Sequence, residues 1–500
     1  MAPKQHHKPV AVIDIGSNSI RLVIYAELSR APIALFNEKA LCALAKGMDE
    51  SCKIQPKRLQ MALECLSRFR AVLDTYDVSN VSIVATSAVR EAKNVTQFIK
   101  QAEAIIGYPI SVVSAKEEAR LSSLGVFCTS PSLDSGLIGD LGGGSLELSL
   151  IQKHKIQDST SLLLGHQRLS TLLEHYQGKL SPIRQLILDE ISAYHHLKRR
   201  GLTEFFAVGG QWRDLAEKYL EVTHYPLEII DGFRIPAKDI TQFLSTHVLS
   251  PHKLTLDEKE ISRGSWYMAA LVLKQIIREF GIQHITFSSY GIREGVLYDQ
   301  LSPKEQAMDP LLVSAQYLGH KLHATPKNLD DLTDWVNHFM SQFEGFSPRL
   351  TQAILYLCDI SMFETRHIRS RNAFERVITL ATTGLTHDER ISMAIAISVR
   401  YAGNLGASHL QPFLPLVSHH HLAQALVLGQ LLRLAQTLCC RQPGLLPHFS
   451  LDLTKDELIL TASPKMDAYL LGDRVSKYLD NLAKSLHRTP KMQHLEFIRS

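Results

Sequence analysis

The chain has 500 residues, 45% of them hydrophobic and 21% charged, with 54 Lys and Arg against 50 Asp and Glu. That length exceeds what one hydrophobic core usually serves, and the composition is that of a folded chain, not a disordered one. A net charge of +4 is too small to imply nucleic acid, and seven cysteines without C-x-x-C spacing argue against a disulfide framework or a zinc ribbon.

The richest apolar stretch, 422–440, is broken by Gln424, Gln430, Arg433 and Gln436, so no membrane partner is expected. Lys4, His6, His7 and Lys8 lead straight into a short strand without the apolar core of a signal peptide, and the expected location is the cytoplasm. In chain order, residues 10–26 read as a strand, a tight turn and a second strand. Residues 56–75 carry Leu59, Leu63, Leu66, Phe69 and Leu73 at helical spacing, and 81–85 is a short β-rich run. A-T-S-A-V-R at 85–90 takes a strand end into a helix expected to continue through Phe98 and Ile105. Residues 110–113 predict a strand, then a helix over S-A-K-E-E-A-R-L with Ser114 as N-cap ahead of Glu117 and Glu118. A second strand–turn–strand occupies 137–151, and a further strand ends where Gly209 and Gly210 open a helix. An amphipathic segment at 261–280 precedes a strand at 285–288 and a helix from Arg293. This alternation predicts an α/β architecture with two related lobes. Residues 310–440 are almost wholly helical in pattern, and a hairpin (451–453, 458–460) and an amphipathic helix at 466–486 follow. The expected domains are 1–127, 128–304, a helical 305–445 and a small α+β segment at 446–500.

The two strand–turn–strand stretches repeat one another: V-I-D-I-G-S-N-S-I-R-L-V-I at 12–24 and L-I-G-D-L-G-G-G-S-L-E-L-S-L-I at 137–151. Superposition sets Asp14 on Asp140, Gly16 on Gly142, Ser19 on Ser145 and Leu22 on Leu148. Such internal repetition fixes architecture. Bare backbone at Gly142, Gly143 and Gly144 leaves N–H groups able to cradle an anion. Asp14 and Asp140 have the wrong charge for phosphate, so their use is through a divalent cation or on a water molecule. One such turn alone would read as a tight hairpin. Two copies, each led by an Asp, favour a grip on phosphate. Glu147 shares a strand face with Ser145 and Ser149, and is either a ligand or water-orienting group or an exposed edge-strand carboxylate. Glu117 and Glu118 suit a helix start on charge alone. Arg90 taken singly is a surface residue; beside two phosphate loops it suits bidentate phosphate binding.

These residues in this order resemble the exopolyphosphatase/guanosine pentaphosphatase (Ppx/GppA) family, within the actin-like, heat-shock-chaperone-like and sugar-kinase-like (ASKHA) superfamily. The matching pieces are D-I-G-S-N-S-I-R from Asp14, A-T-S-A-V-R from Ala85, E-E-A-R-L from Glu117, and D-L-G-G-G-S-L-E from Asp140. G-G-Q-W-R-D-L-A from Gly209 and Y-G-I-R-E-G-V-L from Tyr290 complete the set. The resemblance implies two actin-like (ribonuclease H-like) lobes with the site in their cleft, a mainly helical HD-like C-terminal domain, and a homodimer. It implies processive Mg²⁺- (or Mn²⁺-) dependent hydrolysis of the terminal phosphate of inorganic polyphosphate, of guanosine pentaphosphate, or of both. By position, Glu118 matches the general base, Asp140 and Glu147 the acidic pair that positions metal and water, and Arg90 a phosphate-binding arginine. Asp14 joins Asp140 and Glu147 as an expected metal ligand. Ser17, Asn18, Ser19, Gly142, Gly143, Gly144 and Ser145 line the two phosphate loops, and Gly209 and Gly210 match the turn that faces a nucleotide base in kinase relatives. A carboxylate is readily ionised at pH 7, so Glu118 is expected to need placement more than a shifted pKa.

The C-terminal part departs from the HD pattern: Cys358 precedes Asp359 where a His-Asp pair would stand, and 369–374 and 399–404 lack histidines. A non-catalytic helical module is expected. His419, His420 and His421 point three ways on a helix and read as surface. Arg366, Arg369, Arg371 and Arg376, partly offset by Glu364 and Glu375, are either a solvated face or a polyanion contact. A sugar or carboxylate kinase of this fold would need a sugar-binding insert and a late catalytic Asp, of which the sequence gives no sign. A non-enzymatic sensor of guanosine tetra- or pentaphosphate or polyphosphate would not need Glu118, Asp140, Glu147 and Arg90 together. Polyphosphate and guanosine pentaphosphate remain undecided by sequence.

Overall fold

A computed structural model of the chain describes residues 8–48, 52–130, 133–194, 197, 202–249, 261–464 and 466–494, with side chains left out at 261–265 and 494. Lys4, His6 and His7, read above as a basic lead-in, lie outside them. The chain divides into two units, Met1–Met308 and Asp309–Ser500.

In the first unit, β1 (Val10–Ile15), β2 (Ile20–Tyr25), β3 (Ala34–Ala40), β4 (Asn80–Ala85) and β5 (Ser111–Val112) form a sheet of order β3-β2-β1-β4-β5. β1 is central because it is apolar on both faces: Ala11, Ile13 and Ile15 enter one core, Val10 and Val12 another. The first three strands are antiparallel, and β4 and β5 run parallel to β1. A second sheet holds β6 (Ser135–Leu141), β7 (Leu146–Gln152), β8 (Lys155–Leu162), β9 (Glu204–Val208), β10 (Phe233–Pro236) and β11 (His284–Phe287) in the order β10-β11-β9-β6-β7-β8. Leaving aside the antiparallel edge strand β10, its pairings repeat those of the first sheet. The sequence repeat is thus a topological repeat.

Leu66, Phe69 and Leu73 of helix Pro56–Thr75, with Phe98 and Ile106 of helix Val95–Ile106, cover one face of the first sheet. Helices Ala115–Thr129 and Ile292–Asp299 cover the other through Leu121, Ile292, Val296 and Leu297. Val126 of the same Ala115–Thr129 helix packs with Ile138, Ile151, Phe206 and Val208 of the second sheet. The helix that opens with Glu117 and Glu118 therefore lies between the sheets. Ser114 caps it as expected, accepting the Glu117 amide at 3.2 Å. Its crossing with Ile292–Asp299 is backbone-close: a Cβ on Gly295 would stand 1.7 Å from Leu121 O, and one on Gly125 2.1 Å from Gly291 O.

Two expected helices are broken. The one predicted from Ala85–Arg90 through Ile105 forms as Ser87–Glu91 and Val95–Ile106. Between them the Asn94 side-chain amide both accepts from Ile54 N and donates to Ile54 O, diverting the chain. The closing helix forms as Asp467–Leu470 and Asp473–Ser485, parted at Gly472 with φ 110°.

The second unit is helical from Pro310 to Leu438. It ends in a small sheet of order β12-β13-β14, with β12 at Phe449–Leu453, β13 at Glu457–Ala462 and β14 at Thr489–His494. Asp359 is buried and accepts from both Arg400 and Arg441, and burial pushes the neighbouring Cys358 thiol up to about 12. Among the arginines flagged above, Arg371 pairs with Glu375 at 2.7 Å, Arg376 with Glu364 at 2.9 Å, and Arg369 donates to Glu364 O at 2.7 Å. His419 and His420 are exposed. His421 is half-buried, not open surface, because Asp388 holds its Nδ1 at 2.8 Å.

Candidate active site

Both turns of the repeat close alike: Gly16 N donates to Ser19 O and Gly142 N to Ser145 O, each at 3.0 Å. Their other carbonyls are tied back by different elements. In the first turn, Ala43 N reaches Asn18 O at 2.8 Å and Ala45 N reaches Ser17 O at 3.0 Å. In the second, the start of helix His166–His175 does this. His166 N donates to Gly142 O (3.1 Å), Gln167 N to Gly143 O (3.0 Å) and Gly165 N to Gly144 O (3.3 Å). Among the described residues, no backbone carbonyl accepts from the amides of 17–19 or 143–145. Two clusters of uncommitted donors result, suited to anionic oxygens.

The turns also meet. A Cβ on Gly143 would lie 3.2 Å from Ser17 Cβ, and one on Gly144 2.8 Å from Ser87 Oγ. Gly209 closes the rear of the second turn: at φ 114°, its Cβ would fall 2.5 Å from Leu141 O. Gly210 next to it faces open space.

Four carboxylates gather beside the turns. Strand register sets Asp14 opposite Arg21, and Asp140 opposite Glu147. Asp140 Oδ2 accepts from Ser122 Oγ at 2.5 Å, and Glu147 Oε1 from Ser161 Oγ at 2.9 Å. Glu147 is 2% exposed, since β7 lies between β6 and β8 and is not an edge. Glu118 Oε2 accepts from Arg90 Nη1 at 2.7 Å, and Val113 O takes the same nitrogen at 3.0 Å. Arg90 is thus committed to the Glu118 carboxylate.

Burial pushes the Glu118 carboxyl up to about 7, against the pull of Arg90 and with Asp140 and Asp14 adding to the rise. The expectation that Glu118 needs placement more than a shifted pKa is corrected here, because desolvation and two like charges act on it together. Burial raises Glu147 well above the usual range, reinforced by Glu118 and Asp140. Asp14 and Asp140 are raised by burial as well, with Arg293 opposing both. Such a set favours a cation or a shared proton in its midst.

Asp14, Asp140 and Glu147 are the expected metal ligands, and strand register places Asp140 and Glu147 side by side. Among the described residues no group of three His, Cys, Asp or Glu converges on one point. Glu147 is held by Ser161 and Ser145. Asp14 and Asp140 remain hard-oxygen donors at two strand ends. They fit Mg²⁺, which takes one or two carboxylates and completes its shell with water and phosphate oxygens.

Sequence reasoning missed a set of cations. Arg293 Nη1 lies 3.4 Å from Asp14 Oδ2, and its buried Nε has no hydrogen-bond partner. Tyr25 donates to Glu294 at 2.6 Å, and Glu294 accepts the Gly291 amide at 3.0 Å, which fixes the start of the Arg293 helix. Arg213 donates to Ser289 O at 3.0 Å. Arg21 and Lys39 are cross-strand partners on β2 and β3. Burial first, and Arg293 next, lower the pKa of both Arg21 and Arg213. Lys39 is lowered by partial desolvation and then by Arg21, Arg213 and Arg293. Crowded cations of this kind call for a polyanion. Arg21, Arg213 and Arg293 each lie inside a motif quoted above, but a lone arginine has no address until the fold supplies one.

Residues 23–304 match the family model described as Ppx/GppA phosphatase family, more than half of the chain, and 311–492 match that described as Exopolyphosphatase, C-terminal. The chain belongs to the Ppx/GppA phosphatase family. It is 25% identical over 485 residues to a guanosine-5'-triphosphate,3'-diphosphate pyrophosphatase of Aeromonas hydrophila, covering 91% of this chain and 93% of that one. A Vibrio cholerae protein of the same name is 26% identical over 307 residues, 59% of this chain and 60% of its own length. Among solved structures, an exopolyphosphatase from Cytophaga hutchinsonii matches 58% of this chain and 97% of its own, at 25% identity and a TM-score of 0.48. Ppx/GppA membership accords with the duplicated sheet and its paired turns. No helix among the described residues is long and apolar enough to cross a membrane.

Proposed function

We propose that this Ppx/GppA phosphatase hydrolyses the terminal phosphoanhydride of inorganic polyphosphate, of guanosine pentaphosphate, or of both. One observation carries the reading: a buried carboxyl at Glu118, pushed up to about 7 and held by Arg90, beside two turns whose amides are uncommitted. A group titrating there is matched to general-base work near neutral pH.

Glu118 takes a proton from water as that water attacks the terminal phosphorus in line with the bridging oxygen, which leaves with the shortened chain. Glu147 and Asp140 orient the water and hold Glu118 in its raised state. The amides of 17–19 and 143–145 receive the phosphoryl oxygens, and Arg21, Lys39, Arg213 and Arg293 offset the charge of the remaining phosphates. Asp14 and Asp140 would hold Mg²⁺ (or Mn²⁺), which supplies charge neutralisation at the phosphoryl oxygens.

Phosphate release should be measured from long-chain polyphosphate and from guanosine pentaphosphate in parallel, with and without Mg²⁺, for wild type and Glu118→Gln. Release that needs the metal and falls by about 10³ in the variant, with substrate affinity retained, is expected. Undiminished turnover in Glu118→Gln would remove the assignment.

A further inference from the structure

We infer that Ser87 is a positioning residue for Ser17 in the hydrolysis proposed above: its hydroxyl bonds that of Ser17 so that Ser17 O–H donates a hydrogen bond to a phosphoryl oxygen between the two turns. The inference rests on that reading of the site.

Ser17 Oγ and Ser87 Oγ stand 2.7 Å apart and are 6% and 4% exposed. Each hydroxyl brings one proton and can accept two bonds. The pair bond uses one of the two protons. The other needs an acceptor, and a buried hydroxyl proton left without one is costly. Against the pair sits the second turn: a Cβ on Gly144 would lie 2.8 Å from Ser87 Oγ and 3.6 Å from Ser17 Oγ. That turn has little to accept with. Gly142 O, Gly143 O and Gly144 O are already engaged by His166, Gln167 and Gly165, and its remaining amides are donors. A proton surrounded by donors marks a place for an anion that accepts from all of them.

Ser17 belongs to the first donor cluster, whereas Ser87 opens the helix Ser87–Glu91, fixed by Thr86 N on Ile15 O at 3.1 Å. The direction is therefore Ser87 to Ser17 to phosphate. Helix Ser87–Glu91 also carries Arg90, but through a different side chain, so the Glu118 pair should not sense the loss of the Ser87 hydroxyl.

The test is a double-mutant cycle over Ser17→Ala and Ser87→Ala. It has two readouts: KM and kcat of wild type and variants, and the dissociation constant of tripolyphosphate by calorimetry in a Glu118→Gln background. Each single variant should weaken tripolyphosphate binding by about tenfold. The double variant should be no weaker than Ser17→Ala alone. Ser87→Thr should restore binding, while Ser87→Cys, which keeps the shape but donates weakly, should not. The inflection of kcat/KM near pH 7 should stay where it is. Additive losses, wild-type binding by Ser87→Ala or Ser87→Cys, or no tripolyphosphate binding by the parent would each overturn the inference. If wild type releases no phosphate, the hydrolytic reading fails while the binding cycle still decides the role of Ser87.

Discussion

The β1–β2 and β6–β7 hairpins share closure, register and a leading Asp, yet the residue across from that Asp has opposite charge in the two. Arg21 faces Asp14 in the first, and Glu147 faces Asp140 in the second. Opposite charges across a ladder contribute roughly 0.2–1 kcal/mol, and like charges oppose folding by a similar amount. The same backbone occurs twice, and in the proposed mechanism the change of sign at this pair divides the labour. In that mechanism the first hairpin joins Lys39 and Arg293 on the binding side, and the second joins Glu118 on the water-activating side. Its acidic pair persists against repulsion, as functional groups often do.

The largest effect expected from disturbing that division is at Glu147. Glu147→Gln should lower kcat by about 10²-fold with KM little changed, measured by steady-state phosphate release. Arg21→Ala should do the reverse, raising KM by about tenfold at near-constant kcat and flattening its dependence on salt. If both variants altered the same parameter, the division would fail. A smaller effect is expected in the pH profile. Glu118 must be ionised to accept a proton, so log kcat/KM should fall with unit slope as pH drops through about 7. Arg90→Ala removes the influence that lowers this carboxyl and should move the inflection upward. The smallest effect concerns stability. The Glu147 pKa is raised on folding, so its contribution is full below the unfolded value and is lost as pH rises through the folded one. Glu147→Gln should therefore raise Tm by about 2–4 °C at pH 8 and by less at pH 4, read by calorimetry.

The duplicated turn was legible because an Asp, a Gly and a Ser recur at the same spacing in both copies, which spells a motif. Asp14 and Asp140 were legible because each leads a copy of the repeat, whereas the role expected of Glu118 came from the family resemblance. The strand β3 was not: A-L-F-N-E-K-A leaves most of its side chains in water and shows no apolar alternation. The break at Asn94 depends on a bond to Ile54, 40 positions away, which no local pattern encodes. The raised pKa of Glu118 arises from burial and from partners brought in by the fold, and so does the hold of Ser161, on the next strand, on Glu147. Residue types announced the chemistry, and distances decided who serves whom.

Gly125 and Gly295 let the two long-range helices touch main chain to main chain, leaving no side chain between them to act as a lubricant. One of these helices bears Glu118 and the other bears Arg293. If the lobes swing apart to admit or discharge a substrate, the proton acceptor and this guanidinium must travel as one body. The aperture that widens is then the seam between the paired turns, and Glu118 keeps its cationic companion in step on either side of that motion.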